Sequence, residues 1–244
     1  MQLELQLDAA RTLDASVRPR TKTEKFAGAE KASASFLSPL ERRLGRLVLP
    51  RIPAWLETYH LTWLTLLWSE LVLVFGRLAA QDMRWLWGVS LMIFLQWVTD
   101  HFDGKVGKLR DTGLVRWGFY MDHLLDYLFL CSVLVAYALF LPERAALQVL
   151  CVLAVFGGFM VNSFLDLSAR GKFRITFLKL GPTEFRLALV VINTLVVYAG
   201  TRRVVKVLPY VAAGALVVLC LLVYRTQKKI WALDMEAKRR SAEA

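Results

Sequence analysis

The sequence predicts an all-α integral membrane protein, with six transmembrane helices preceded by an amphipathic interfacial helix. Its composition is one reason: 57% of the 244 residues are hydrophobic and only 21% are charged, against roughly 45–50% and about 25% in soluble domains. The apolar residues also fall into runs close to the length of about twenty residues that crosses a bilayer. The net charge of +11 is then expected to orient the chain in its membrane rather than to bind nucleic acid.

The chain divides into four parts. Residues 1–36 are mixed in charge and lack a sustained apolar period, so we predict a flexible cytosolic extension. Segment 37–57 is predicted to be an amphipathic surface helix with a lead-in, because Ser38-Pro39-Leu40-Glu41 forms a capping box. A solvated helix that packs on the protein itself is the alternative. The six-helix domain is expected over 58–226, followed by a basic cytosolic tail over 227–244.

Six apolar segments define the predicted spans, and two of them have polar ends. The second has only fifteen apolar residues before Asp100, and the third carries Asp122 and Asp126 in its first two turns. Such carboxylates must project beyond the hydrocarbon or into a shielded cavity. We interpret Asn193 and Thr194, in the fifth segment, as hydrogen-bonding groups between helices. The segments are 61–80, 85–99, 118–141, 145–165, 185–200 and 207–224.

The distribution of lysine and arginine predicts the orientation. With six spans, 25 of the 31 cations lie in the two termini and in the loops 100–117 and 166–186. The positive-inside rule therefore places both termini and both of these loops in the cytoplasm. A cluster at Arg202, Arg203 and Lys206 is the exception to this bias. The three cysteines all lie in apolar segments and are interpreted as packing residues.

Four aspartates are predicted to converge where the second and third spans meet. Asp100 and Asp103 are three residues apart, and Asp122 and Asp126 are four apart, so each pair projects from one helix face. Converging carboxylates near hydrocarbon require cations to offset desolvation and repulsion. Hard oxygen ligands suit Mg²⁺ or Mn²⁺, and four of them suit two ions roughly 3.5–4 Å apart. Helix capping and ion pairing with nearby lysines are the alternative interpretation.

A two-metal site commonly serves displacement at phosphorus, and the neighbouring residues fit that chemistry. Gly104, Gly107 and Gly118 have no Cβ, so a ligand or the facing helix can approach the backbone closely. Lys105 and Lys108 are then in place to meet phosphate charge.

This pattern resembles the signature of the CDP-alcohol phosphatidyltransferase family, Asp-x2-Asp-Gly-x2-Ala-Arg, eight or nine residues, then Gly-x3-Asp-x3-Asp. Gly107 stands in place of the usual alanine, and Lys108 replaces the arginine fork with a point charge. The matching positions are Asp100, Asp103, Gly104, Gly118, Asp122 and Asp126.

The resemblance implies an integral membrane enzyme of phospholipid biosynthesis, usually a homodimer surrounded by membrane lipids. Such an enzyme transfers a substituted phosphate group from a CDP-linked donor to an alcohol hydroxyl and releases CMP. The implied ligands of two Mg²⁺ or Mn²⁺ ions are Asp100, Asp103, Asp122 and Asp126. Asp126 would also be the catalytic base that takes the proton of the acceptor hydroxyl. The implied nucleotide-binding residues are Gly104, Gly107, Lys108 and, on a weaker match, Thr62.

Five cations in the loop 166–186 allow two interpretations. They serve only to orient the protein, or some of them bind phosphate on the donor or acceptor. The turn at Gly181-Pro182-Thr183-Glu184 favours phosphate binding, because it aims a helix N-terminus at the cytoplasmic site. The candidates are Arg170, Lys172, Arg174 and Arg186.

The sequence does not determine which donor and acceptor are the substrates. CDP-diacylglycerol with a small polar alcohol, such as inositol phosphate, glycerol phosphate or serine, is the first expectation. The alternative is a CDP-choline or CDP-ethanolamine type of phosphotransferase that acts on diacylglycerol. A membrane cation or solute transporter is the alternative from another class, but transporters place ionisable groups near the midplane on broken helices.

Overall fold

The computed structural model describes residues 43, 45, 47–112, 114–171 and 182–243, and within these ranges the chain is helical with no strand. Short 3₁₀ turns at Leu49–Arg51 and Met83–Trp85 precede the first and second long helices. The long helices of the described ranges are α1 (Thr58–Ala79), α2 (Leu86–Arg110), α3 (Val115–Phe140), α4 (Glu143–Arg170), α5 (Pro182–Ala199) and α6 (Arg202–Glu243).

Each of the six predicted spans falls on one long helix, but not every helix meets the requirements for a span. Within the described residues, four helices are long and apolar enough to cross a membrane: Thr58–Ala79, Val115–Phe140, Glu143–Arg170 and the segment Arg202–Ala242. The described part of the chain is therefore all-helical and has the character of a membrane protein. The shorter apolar parts of α2 and α5 leave the predicted number of six unconfirmed.

Both ends of the chain bear on the predicted domain boundaries. Segment 1–36 and the capping box at residues 38–41 lie outside the described residues. The interfacial helix therefore stays a prediction, although residues 43, 45, 47 and 48 are helical. At the other end, α6 continues without a break as far as Glu243, so the predicted basic tail is helical.

The helix α1 begins at a capping box that fixes it beside the end of α2. The Glu57 side chain accepts a hydrogen bond from the backbone of His60, and the Glu57 N–H donates to His60 Nδ1 at 3.0 Å. Arg110, in the last turn of α2, donates to the backbone oxygens of Leu56 and Pro53. The start of α1 and the end of α2 are thereby held together.

The core of the bundle is apolar and closely packed. Val72 of α1, Val89 of α2 and Val133 of α3 are all fully buried in one cluster. A Cβ placed on Gly76 would lie 2.4 Å from Ala136 Cβ and 2.8 Å from Ala136 Cα. Glycine at this position therefore permits α1 and α3 to approach more closely than any side chain would allow.

A buried polar network joins three helices within this core. Tyr137 Oη of α3 donates to Asn193 Oδ1 of α5 at 2.6 Å, and Asn193 Nδ2 donates to Ser90 Oγ of α2 at 3.0 Å. The predicted interhelical role of Asn193 is therefore confirmed. The same prediction is wrong for Thr194, whose hydroxyl donates to Val190 O one turn earlier in its own helix.

Gly76→Leu is expected to lower the melting temperature, because the new side chain must separate α1 from α3. Overpacking of this kind costs about 1–3 kcal/mol, which corresponds to roughly 2–4 °C per kcal/mol in a chain of this size. Thermal unfolding in detergent would measure the change. Gly214→Leu in α6 is the matched control, since a Cβ there meets nothing within 4 Å. Equal melting temperatures for the two variants would contradict the packing argument.

Candidate functional site

Three of the four predicted carboxylates converge between α2 and α3. Asp100, Asp122 and Asp126 each offer one oxygen atom, and these three atoms lie within 4.8 Å of one another. All three residues are partly buried. They meet because Asp100 is three turns from the end of α2 and the other two lie early in α3, directly across the short loop between the helices. We refer to these three residues as the aspartate triad.

Asp103 lies outside the aspartate triad and is held by α1. Its Oδ2 lies 2.8 Å from Thr62 Oγ1, and its backbone oxygen accepts a 2.8 Å hydrogen bond from Thr58 Oγ1. Burial raises the pKa of Asp103, which lies beyond the apolar segment 85–99, to about 6, although the Thr62 hydrogen bond acts in the opposite direction. Thr62 is itself only 4% exposed. In the structure the Thr62 hydroxyl faces Asp103. The predicted contact of Thr62 with a nucleotide stays a prediction.

Arg186, in the second turn of α5, supplies a positive charge to the aspartate triad. Its Nη1 donates to Asp100 Oδ2 at 2.8 Å, and its Nη2 donates to Asp126 Oδ1 at 3.0 Å. The Arg186 side chain is 11% exposed, so both contacts are charge-assisted and largely shielded from water. A single guanidinium therefore bridges α2 and α3 at the triad and offsets part of its negative charge.

Gln96 of α2 is a residue of the site that the sequence analysis did not identify. Its Nε2 donates to Asp126 Oδ1 at 2.9 Å, and the residue is only 1% exposed. The sequence spacing could have identified Gln96, because an amide in an apolar segment four residues before Asp100 lies on the same helix face as Asp100.

The two histidines beside the aspartates each interact with a group outside the aspartate triad. His123 Nδ1 is 2.7 Å from Phe119 O and 3.6 Å from Asp122 Oδ2. His101 stacks on Trp97 and interacts with Lys105 one turn away. Neither belongs to the group of described residues that can share a metal ion.

The glycines of the motif have different surroundings. A Cβ on Gly104 or on Gly118 would meet nothing within 4 Å, so the backbone is open there. A Cβ on Gly107 would lie 3.4 Å from Thr58 Oγ1, which places Gly107 against the start of α1. Lys108 is exposed, one turn after Gly104. Gly104 and Lys108 are therefore accessible to a ligand, whereas Gly107 packs within the protein.

A polar cavity of about 150 Å³ lies between α4 and α6. Arg170 lines it and forms an ion pair with Asp166, which is 5% exposed. Three cations and one carboxylate among its lining residues give it a net positive charge. The lining residues are Asn162, Ser163, Asp166, Arg170, Leu222, Arg225, Thr226 and Lys229. Lys172 and Arg174, the other predicted loop cations, lie outside the described residues.

The aspartate triad has the donor set of a hard divalent cation. Three carboxylate oxygens from two helices converge, and the structure already places one cationic group, Arg186, against two of them. Carboxylate ligands favour Mg²⁺, Mn²⁺ or Ca²⁺ over softer metals. The chemistry of the site thus fits a divalent cation, while the identity and number of the ions stay predictions.

In comparisons with known proteins, no protein-family model, curated protein or solved structure matches this chain. The function is therefore inferred from the residues of the site itself.

Proposed function

We propose that the protein is a metal-dependent phosphotransferase that moves a substituted phosphate group from a CDP-linked donor to an alcohol hydroxyl and releases CMP. The observation that carries this proposal is the aspartate triad, which is assembled from the motif residues that resemble the CDP-alcohol phosphatidyltransferase signature. Carboxylates that could hold divalent cations, an open glycine and adjacent cations form a suitable environment for phosphoryl transfer.

The proposal includes a membrane topology of six spans with a cytoplasmic site. The apolar part of α2 and the whole of α5 would cross alongside the four longer helices, preceded by the interfacial helix of segment 37–57. At 1.5 Å per residue, the 18 residues of α5 extend about 27 Å, close to the hydrocarbon thickness. The cation count then places both termini in the cytoplasm. A homodimer in membrane lipids remains the expected assembly.

The aspartates would hold the metal. Asp100, Asp122 and Asp126 supply the converging oxygens, and Asp103 adds a fourth carboxylate nearby on α2. Bound divalent cations would supply neutralisation of phosphate oxygens and stabilisation of the leaving group.

The chain's own residues would perform the remaining steps. Asp126 accepts the proton of the acceptor hydroxyl, whose oxygen forms a bond to phosphorus while the bond from phosphorus to the CMP oxygen breaks. Arg186, which contacts Asp100 and Asp126, is close enough to the triad to meet the charge of a bound phosphate group. The open backbone at Gly104 and the exposed Lys108 would receive the nucleotide.

The cavity between α4 and α6 favours a phosphorylated, water-soluble acceptor. It is polar, it carries Arg170, Arg225 and Lys229, and it lies at the same end of the bundle as the triad. That location follows because Phe164 of α4 contacts His123, the neighbour of Asp122. Diacylglycerol, the acceptor of the alternative phosphotransferase type, would gain nothing from three cations.

Release of CMP tests the proposed function directly. Purified protein in detergent would be incubated with CDP-diacylglycerol and Mg²⁺ across a set of acceptors, with CDP-choline and diacylglycerol as a separate pair. We expect CMP to appear only with a matching acceptor and to disappear in EDTA. If none of these combinations releases CMP, the function is wrong.

Neutralising one cavity cation is expected to raise the KM for a phosphorylated acceptor. We choose Arg225→Gln, because Arg225 lines the cavity without being the partner of Asp166. A charge-assisted contact to phosphate is worth about 1.5–3 kcal/mol, or roughly ten- to a hundredfold in KM, with little effect on donor KM. Lys228→Gln, on the same helix but outside the cavity lining, is the control. An acceptor KM within twofold of the wild type would favour an unphosphorylated or membrane-borne acceptor.

A further inference from the structure

The proposed catalytic base Asp126 has two oxygens in unequal surroundings. Its Oδ1 accepts two hydrogen bonds, from Gln96 Nε2 at 2.9 Å and from Arg186 Nη2 at 3.0 Å. Two donors from different helices occupy the lone pairs of that oxygen and fix the plane of the carboxylate. Oδ2 is then the oxygen best available to a metal ion or to the proton of an acceptor.

Gln96 is the more deeply buried of the two donors, since the Arg186 side chain is 11% exposed. Gln96 is 1% exposed and lies within α2, four residues before Asp100. Its Oε1 is buried and, among the described residues, has no hydrogen-bond partner. A buried amide that leaves one atom unsatisfied costs stability, and an apolar residue of the same length would avoid that cost. Stability alone therefore does not account for glutamine at this position.

We propose that Gln96 is a positioning residue that holds Asp126 in the orientation required for metal binding and proton transfer. This inference rests on the proposed function for its kinetic consequence, but its effect on metal binding does not depend on the substrates. The amide fixes Oδ1 and leaves Oδ2 as the oxygen that would serve a metal ion or the acceptor proton. Outer hydrogen bonds to metal-binding carboxylates commonly change metal affinity or activity by ten- to a hundredfold.

Gln96→Met separates this role from a structural one. Methionine matches the length of glutamine, removes the donor and also removes the unsatisfied Oε1. We expect Mn²⁺ to bind about tenfold more weakly, measured by electron paramagnetic resonance on the full chain in detergent. The melting temperature without metal should stay within about 3 °C of the wild type, because the lost hydrogen bond and the relieved orphan atom offset each other.

The matched control is Gln148→Met in α4. Gln148 Oε1 is also buried without a partner among the described residues. Gln148 lies near the start of α4, whereas Phe164, which contacts His123 beside the triad, lies near its end. This variant should bind Mn²⁺ like the wild type. Gln96→Met should in addition lower kcat about ten- to a hundredfold while the donor KM stays within threefold.

Three results would overturn the proposed role of Gln96. Unchanged Mn²⁺ affinity in Gln96→Met overturns the proposal, as does a large fall in melting temperature that Gln148→Met does not show. A donor KM that rises while kcat is unchanged also overturns it, because Gln96 would then contact substrate. If the wild type releases no CMP, the proposed function fails, and Mn²⁺ affinity alone decides the role of Gln96.

Discussion

Asp126→Asn is expected to abolish turnover while leaving donor binding largely intact. Asparagine keeps the shape of the side chain but neither accepts a proton at neutral pH nor contributes a negative charge to the triad. General-base catalysis alone is worth about 10²–10⁴-fold, so a loss of at least about 10³-fold in kcat is expected. Initial rates of CMP release measure the loss, and equilibrium binding of CDP-diacylglycerol measures what remains.

Asp111→Asn is the control for this substitution. Asp111 is the exposed cap after α2 and adopts φ 50°, a conformation that asparagine tolerates well. The same chemical change outside the triad should therefore leave kcat within twofold. Normal CMP release by Asp126→Asn, or full activity of the wild type in EDTA, would rule out the mechanism.

The faces of individual helices could be predicted from sequence because they follow from local periodicity. Asp122 and Asp126 are one turn apart, so their common face requires no knowledge of the fold. The prediction was less accurate where another helix intervenes. Asp103 shares a face with Asp100, yet its Oδ2 lies against Thr62 of α1, and Asp103 is not among the three residues whose oxygens converge. Which helices are neighbours is a tertiary property that spacing does not contain.

Arg186 illustrates the same limit. Its position near a helix N-terminus and among loop cations marked it as a candidate for phosphate binding. Nothing in the sequence indicates that its guanidinium reaches Asp100 and Asp126, which precede it by 86 and 60 residues. The number of spans was uncertain for a related reason: α2 gives up part of its apolar length to the polar site, so its hydropathy falls below that of a simple span.

The dual contact of Arg186 leads to a second large expected effect. Without divalent cations, Arg186→Gln should unfold at a lower temperature than the wild type, because the triad loses the charge that offsets its repulsion. Removing one partner of a buried ion pair costs about 3–5 kcal/mol. Asp100 and Asp126 are 23% and 33% exposed, so solvent screening favours the lower end. About 3 kcal/mol corresponds to roughly 6–12 °C.

Divalent cations should reverse much of this loss. Mg²⁺ or Mn²⁺ supplies the positive charge that the variant lacks, so adding it should raise the melting temperature of Arg186→Gln by more than that of the wild type. Thermal unfolding in EDTA and in millimolar Mg²⁺ measures both shifts. Arg170→Gln is the control, since Arg170 pairs with Asp166 away from the triad, and its loss should be the same in both conditions. An equal deficit for Arg186→Gln with and without Mg²⁺ would show that the guanidinium and the metal do not neutralise the same carboxylates.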